Sequence, residues 1–432
     1  MSGFQAKYKG RIAVVGGGVS RIGCLWGLRG TEHEVHLYDA DTQLGGHAHT
    51  HTIQKKGNAA TVDTGFIAMQ DDCYHVAIYL SHVPHLGVAT IPADTSTSVT
   101  EEDGPMAWGS TSLWSFIDGS RFFSPWFWRF MFDILRFNFC ATEIFAEKSN
   151  ESQHDKTRDN ERLESIGEYL KRKGYSDEFK RYYLIADVAA IWCMSTAGVF
   201  KDYPAEALIH FMSTHRLLNT ITESLNWSTV KNGSKSYVDA FLRTLLENHH
   251  VHLETKIRRA SRNEIALHLD PTVLSTKKSA QAWNAVVPSV QDTRSRTKPT
   301  FGEHDPTSLL LSNSYYTKRQ ICVHDDMNRL RSLPWPGKPG SVGRVIVTLN
   351  PVRQPDAIQC RRTYYLSIIS SAGVLAARNL DVLNKADNVS YTGAWMGYAF
   401  HGGGFGAGLA VANKIRTGTY ENPTRFRSGE EL

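Results

Sequence analysis

The alternation of apolar and polar positions is most informative at the start of the chain. Arg11-Ile-Ala-Val-Val15 is a short β-branched run that stops at Gly16-Gly17-Gly18. A helical stretch follows from about Val19 to Arg29, and Glu34-Val-His-Leu-Tyr-Asp39 is a second apolar strand closed by an acid. Strand, glycine turn, helix, strand, acid is the βαβ unit that binds a dinucleotide. Glycines let the main chain approach a diphosphate, the helix start offers free N–H groups, and the acid accepts ribose hydroxyls. Asp39 lies 23 residues after Gly16, close to the spacing of about 20 that this geometry needs. Further on, Phe122–Cys140 is aromatic-rich, Val251–Leu269 is hairpin-like, and Trp283–Val287 is a short apolar run.

Composition narrows the class without naming a chemistry. The chain has 432 residues, 41% of them apolar and 21% charged, which is ordinary globular usage with material for more than one domain. Its net charge of +5 is spread along the sequence, so a nucleic-acid partner is not expected. Six scattered cysteines form no Cys-x-x-Cys pair, and no stretch makes a convincing secretory leader. Reduced thiols in a cytoplasmic protein are expected. The apolar stretch 122–140 contains Arg129, Asp133 and Arg136, which argues against a membrane span.

Leu44-Gly45-Gly46-His47 and Asp63-Thr-Gly65-Phe-Ile67 follow the opening unit. Together with it they resemble the FAD-dependent amine oxidase and phytoene desaturase superfamily. Within that superfamily the chain is most similar to the FAD/NAD(P)-binding oxidoreductases associated with cyclopropane-fatty-acid synthases. Arg129–Asn138, Ala189–Trp192, Gly233–Val238, Asp326–Leu330 and Val347–Pro351 resemble the same branch. So does the closing block Tyr391-Thr-Gly393-Ala-Trp395-Met-Gly-Tyr398-Ala-Phe-His401, with a glycine-rich turn and Gly406-Ala-Gly408 after it.

The resemblance implies an α/β fold: a Rossmann-type FAD-binding domain with an interleaved mixed α+β substrate domain. FAD binding is expected in 1–80, 225–290 and 385–420, and the substrate domain in 81–224 and 300–384. Residues 291–299 are expected as a linker and 421–432 as a tail. Gly16, Gly18, Ser20, Asp39, Gly45, Gly46, His47 and Gly65 are the expected cofactor contacts, with Gly393 and Gly406 near the flavin. Trp395 and Tyr398 are expected to line the pocket for a small-molecule substrate. The implied activity is transfer of hydride from a C–H bond of a small organic, lipid-like, polyketide or terpenoid substrate to flavin N5, in a biosynthetic setting. Desaturation and C–N oxidation both fit, with a tilt to the first.

Several features pull the other way. Arg21 stands where the glycine fingerprint ordinarily ends in Gly or Ala, Gly402 and Gly403 replace two acids usual in the family, and the middle is short. These favour the alternative of a degenerate, non-catalytic dinucleotide-binding protein or partner subunit. His47-x-His49-x-His51 has metal-ligand spacing, with Asp63 as a possible fourth ligand, but a place beside the cofactor suits His47 better, and no metal is expected. His249-His250-Val-His252 fits an exposed hairpin better than a ligand set. The 122–139 segment is either a core helix, the favoured reading, or a lid in peripheral contact with a membrane.

Overall fold

The computed structural model describes residues 10–71, 82, 84–94, 97–101, 107–109, 123–147, 163–185, 188, 203–219, 226–261, 266–269, 281–282, 285–287, 296–297, 300–302, 312–317, 320–349, 351, 355, 357–365, 369–386 and 388–423. Ala189–Trp192 and most of the charged stretch 147–164 lie outside them, as does the tail beyond 423.

The opening unit forms as its pattern requires: β1 (Arg11–Val15), α1 (Val19–Gly27) and β2 (Glu34–Tyr38). A hairpin follows, β3 (Thr50–Lys55) against β4 (Asn58–Asp63). The central helices are α2 (Pro125–Cys140) and α3 (Ala205–Thr214). Then come β5 (Trp227–Val230), α4 (Lys235–Leu242), β6 (His249–His252), β7 (Ala285–Val287) and the closing helix α5 (His401–Thr417).

The Rossmann sheet has the order β6-β2-β1-β7, with every pairing parallel. Its strands come from three distant chain segments, and the apolar run at 283–287 supplies β7, pairing Ile12 with Ala285 and Val14 with Val287. The expected exposed hairpin at 249–252 is instead β6, an edge strand paired along β2. A second sheet of seven strands runs in the order Ile358–Arg361, Thr300–Gly302, Ile346–Leu349, Gln320–Asp326, Ser312–Thr317, Thr97–Glu101, Ala107–Gly109. The expected linker is not free of structure either: Arg296 and Thr297 pair antiparallel with Tyr365 and Tyr364. Short polar segments like this one are held by their neighbours' main chain, so they leave no apolar period to find.

Two buried clusters carry most of the packing. One fills the space around β1, β2, α1, α4 and α5 with residues such as Ile12, Val14, Leu25, Leu37 and Phe241. The other is helical and aromatic, with Phe130, Phe137, Tyr169, Phe179, Phe211 and Tyr398 among its members. At the join between sheets, Asp63 at the end of β4 pairs with Arg331, both side chains almost fully enclosed. Arg331 Nη2 donates to the carbonyls of Val230 and Lys231 at 2.8 and 2.9 Å. Ser234 N and Oγ both donate to Asp63 Oδ1, at 2.7 and 2.8 Å. A buried ion pair holds together when most of its remaining hydrogen-bonding capacity is also satisfied; here Arg331 Nε alone is buried without a partner among the described residues.

Candidate functional site

The turn after β1 needs its glycines. Gly16 has φ of 99°, a conformation that side chains rarely tolerate, and its N–H donates to Tyr38 O at 2.7 Å. Gly18 caps α1 in an extended conformation, φ −74°, with no side chain satisfying the helix start. A Cβ built on Gly18 meets no heavy atom within 4 Å. The free N–H groups of α1 therefore open onto space beside Gly18, an arrangement that suits an anion. Gly45 lies alongside, its N–H on Gly17 O at 2.9 Å, and a Cβ on Gly46 would sit 3.4 Å from Gly18 Cα.

Asp39 faces this turn from the end of β2. Its Oδ2 accepts the Gly17 N–H, and its Oδ1 accepts the Asp41 N–H at 2.7 Å. Burial raises the Asp39 pKa, and these two N–H groups work against that rise. Arg21, the departure from the glycine fingerprint, does not fill the open space at Gly18. It is buried within α1 with Nε donating back to Val15 O at 3.2 Å, and burial draws its pKa down to about 10.

Helix α5 is pressed onto α1 main chain to main chain. A Cβ on Gly408 would overlap Ser20 O, and one on Gly404 would reach Ser20 Oγ at 3.0 Å. Only residues without a side chain permit this approach. It places the uncapped start of α5 beside that of α1, and Ser20 Oγ, deeply buried, has no hydrogen-bond partner among the described residues. The glycines after His401 were expected as a turn; they form the first turn of α5 instead. Gly406 is consequently one turn removed from the helix start, not at it.

At the start of α5 lies a cavity walled by Phe66, Ala68, Met69, Gln70, Phe211, His215, Leu217, Trp227, Gly397, Tyr398, Phe400, His401 and Gly402. Among the described residues its walls carry no carboxylate, lysine or arginine. His401 is stacked on Phe66 with ring centroids 4.0 Å apart, and burial, then the neighbouring His47, brings its pKa down to about 3. Burial likewise holds His215 at about 4, although its Nδ1 lies 2.9 Å from Phe211 O. Both imidazoles are therefore neutral near pH 7. Tyr398, at φ of 56°, places its hydroxyl 2.5 Å from His210 Nδ1.

Gly65 admits the chain at His47, since a Cβ there would meet His47 O at 2.6 Å and Tyr364 Cζ at 3.1 Å. His47 stacks on Tyr364 at 4.8 Å, and its buried Nε2 has no hydrogen-bond partner among the described residues. His49 instead contacts Thr64 Oγ1 at 2.9 Å, and only His51 of the three lies on β3. The three imidazoles with metal-ligand spacing therefore do not line one strand face.

Residues 14–79 match the family described as an NAD(P)-binding Rossmann-like domain. No curated protein matches the chain. Among solved structures, cyclohexylamine oxidase from Brevibacterium oxydans IH-35A is similar with a TM-score of 0.62 at 13% identity, covering 95% of this chain and 99% of the other. A CLA-producing fatty acid isomerase from P. acnes gives 0.61 at 14% identity, over 94% and 98%. A protein assigned as a protoporphyrinogen oxidase from Exiguobacterium sp. 255-15 gives 0.63 at 12%, over 95% and 100%. The chain shares its fold with these proteins over nearly its whole length.

Within this fold, the sequence-derived residues divide into three groups. Gly16, Gly18, Ser20, Asp39, Gly45 and Gly46 gather at the two helix starts; His47, Gly65 and Tyr398 lie toward the cavity. Trp395 does not join its walls: its indole covers Gly393, whose backbone is extended, and packs toward Met396 and Leu380. Phe66, Gln70, Phe211, His215, Phe400 and His401 were not anticipated. The spacing of Phe211 and His215, four apart on one helix face, is a signal that could have found two of them.

The aromatic helix α2 is a core helix along one face only. Phe127, Phe130, Ile134 and Phe137 are buried, whereas Trp128, Phe132, Leu135 and Phe139 form an outward stripe, continued by Phe123 at 85% exposure. No helix among the described residues is long and apolar enough to cross a membrane.

Proposed function

We propose that this protein is an FAD-dependent oxidoreductase that takes hydride from a C–H bond of an apolar substrate of lipid, polyketide or terpenoid type. The observation that carries the reading is the union of two features in one crevice. Uncapped starts of α1 and α5 lie side by side, and an apolar cavity without ionised side chains opens at the second of them. Ser20 Oγ and His47 Nε2, buried without partners, are further support, because buried polar atoms ordinarily find partners.

In this reading the N–H groups after Gly16 and Gly18 hold the diphosphate. Asp39 holds the adenosine ribose with the carboxylate lone pairs that Gly17 and Asp41 leave free. The N–H groups of Gly402 and Gly403 at the start of α5 would serve the flavin end of the cofactor, since a helix start favours negative charge. Bound FAD supplies the hydride acceptor. Phe66, Phe211 and Tyr398 orient the substrate by shape and exclude water, and neutral His215 offers a ring nitrogen without bringing charge into the cavity. An apolar substrate suits such walls better than a charged amine, which would lose its hydration with no carboxylate in return.

The outward stripe of α2 extends this reading. This helix packs near Leu217, which lines the cavity, and Trp and Phe beside Arg129 suit the surface of a lipid layer. Contact there would deliver a greasy substrate close to the cavity.

The test is anaerobic mixing of the flavin-loaded protein with panels of amines and of lipid, polyketide and terpenoid compounds, following flavin absorbance. Bleaching by the apolar panel is expected. Bleaching by amines alone would overturn the substrate class, and a loaded protein that no panel bleaches would favour the non-catalytic alternative. Sedimentation with anionic vesicles, weakened by Phe132→Ser and Phe139→Ser, checks the lipid contact.

A further inference from the structure

On the face of the Rossmann sheet opposite Val35, Leu37 and Val251, β2 and β6 present an unusual set of side chains. The parallel register sets His36 beside His250 and Tyr38 beside His252. Strand alternation brings Glu34, His36, His250 and His252 onto one face, while Val35, Leu37 and Val251 turn to the core. Glu34 Oε1 lies 3.0 Å from His36 Nε2 and 3.7 Å from His250 Nε2. One donor atom from each of Glu34, His36 and His250 falls within 4.8 Å of the other two.

We propose that Glu34, His36 and His250 form a binding site for a borderline divalent transition ion of the zinc class. Ligand bonds of 2.0–2.2 Å in a tetrahedron put neighbouring donors roughly 3.3 Å apart. The two distances to Glu34 Oε1 bracket that separation. The site needs only modest rotation of Glu34 and His250, whose side chains are 45% and 41% exposed. Two imidazoles and a carboxylate suit this ion better than calcium or magnesium, which prefer oxygen throughout. The fourth position faces solvent and would take water.

A neighbouring contact prepares the buried ligand. His36 Nδ1 lies 3.0 Å from His252 Nε2, with the two rings nearly parallel. A proton on Nδ1, donated to His252, leaves the lone pair on Nε2, directed at Glu34. Outer hydrogen bonds commonly orient ligating histidines in this manner. Arg11 Nε sits 3.2 Å from the other carboxylate oxygen of Glu34. It does not engage Oε1, but it opposes a second positive charge, so micromolar rather than nanomolar affinity is expected. An ion here would staple the edge strand to β2. The Asp39 N–H already donates to His252 O at 2.9 Å, so the staple would also steady the strand end that bears Asp39.

The experiment uses the full, untagged chain after chelation, titrated with zinc by calorimetry and with cobalt by visible absorption. One ion per chain is expected, with tetrahedral cobalt bands and a higher Tm. Glu34→Gln and His250→Ala, both on exposed side chains, should each weaken binding at least tenfold. His85→Ala, an exposed histidine elsewhere, should leave it unchanged. Zinc bound as tightly by both cluster variants, or no zinc bound by the wild type, would overturn the proposal. Circular dichroism confirms that the variants fold. In copper-loaded protein, nitrogen hyperfine structure from two imidazoles, reduced to one in His250→Ala, identifies the ligands without relying on affinity. None of these readouts requires flavin, so they stand or fall apart from the redox reading.

Discussion

The dinucleotide end and the helical middle of this molecule are built on opposite plans. Where α1 meets α5, contact is made by leaving side chains out: Gly23 lies against the Phe405 main chain, Gly27 against Ala412, and Gly404 and Gly408 against Ser20. Around α2 and α3, contact is made by filling space, with Phe137 edge-on to Tyr175 at 5.8 Å and Phe211 stacked on Phe400 at 5.1 Å. The first plan brings two helix starts close enough to share one ligand. The second provides rings that wall the cavity. Atoms added to the first region, or removed from the second, should therefore do the damage.

The largest effect is expected from removal in the middle. Phe137→Ala should cost about 3–5 kcal/mol in urea unfolding, since it empties a fully enclosed ring position. Addition at the other end comes next. Gly408→Ala, harmless in most helices, should cost about 1–3 kcal/mol because its methyl overlaps main chain that cannot easily move away. If Gly408→Ala were stabilising, as its helix propensity alone would suggest, the packing account of the α1–α5 contact would be wrong.

Acid should weaken both regions through their buried histidines. The folded-state pKa values of His215 and His401 lie at about 4 and about 3, against 6.5 for an exposed imidazole. The unfolded chain thus binds protons between pH 6.5 and 4 that the folded chain refuses. Stability from these groups is complete above about pH 7 and is lost as pH falls, by roughly 2 kcal/mol each at pH 5. Asp63, whose pKa burial raises, acts in the opposite sense. Unfolding curves at pH 7 and 5 measure the slope, and His215→Phe should flatten it. The smallest effect belongs to the outward stripe: Phe139→Ser should change stability by no more than about 0.5 kcal/mol.

Much of the first region was legible because its chemistry demands particular residues at particular spacings. Gly16, Gly18 and Asp39 announce the turn, and the short apolar run at 283–287 contains the residues of β7. Strand β6 was hidden, because three histidines among four residues leave no apolar alternation. Helix α5 was hidden at its start, because three successive glycines have poor helix propensity; contact with α1 overrides it. The cavity was the least legible part. Its walls come from segments near residues 66, 211, 227 and 398, and only folding brings them together.

The central claim is that the space beside Gly18 receives a diphosphate, and one substitution tests it with little risk to the fold. Gly18 has φ and ψ that any residue can adopt, and a Cβ there meets no described atom within 4 Å. FAD titration of the wild type and Gly18→Val should give about one flavin per wild-type chain. The variant should keep its Tm within a few degrees and lose affinity at least a hundredfold. A Gly18→Val protein that binds FAD like the wild type, or a wild type that takes up none, would contradict the account.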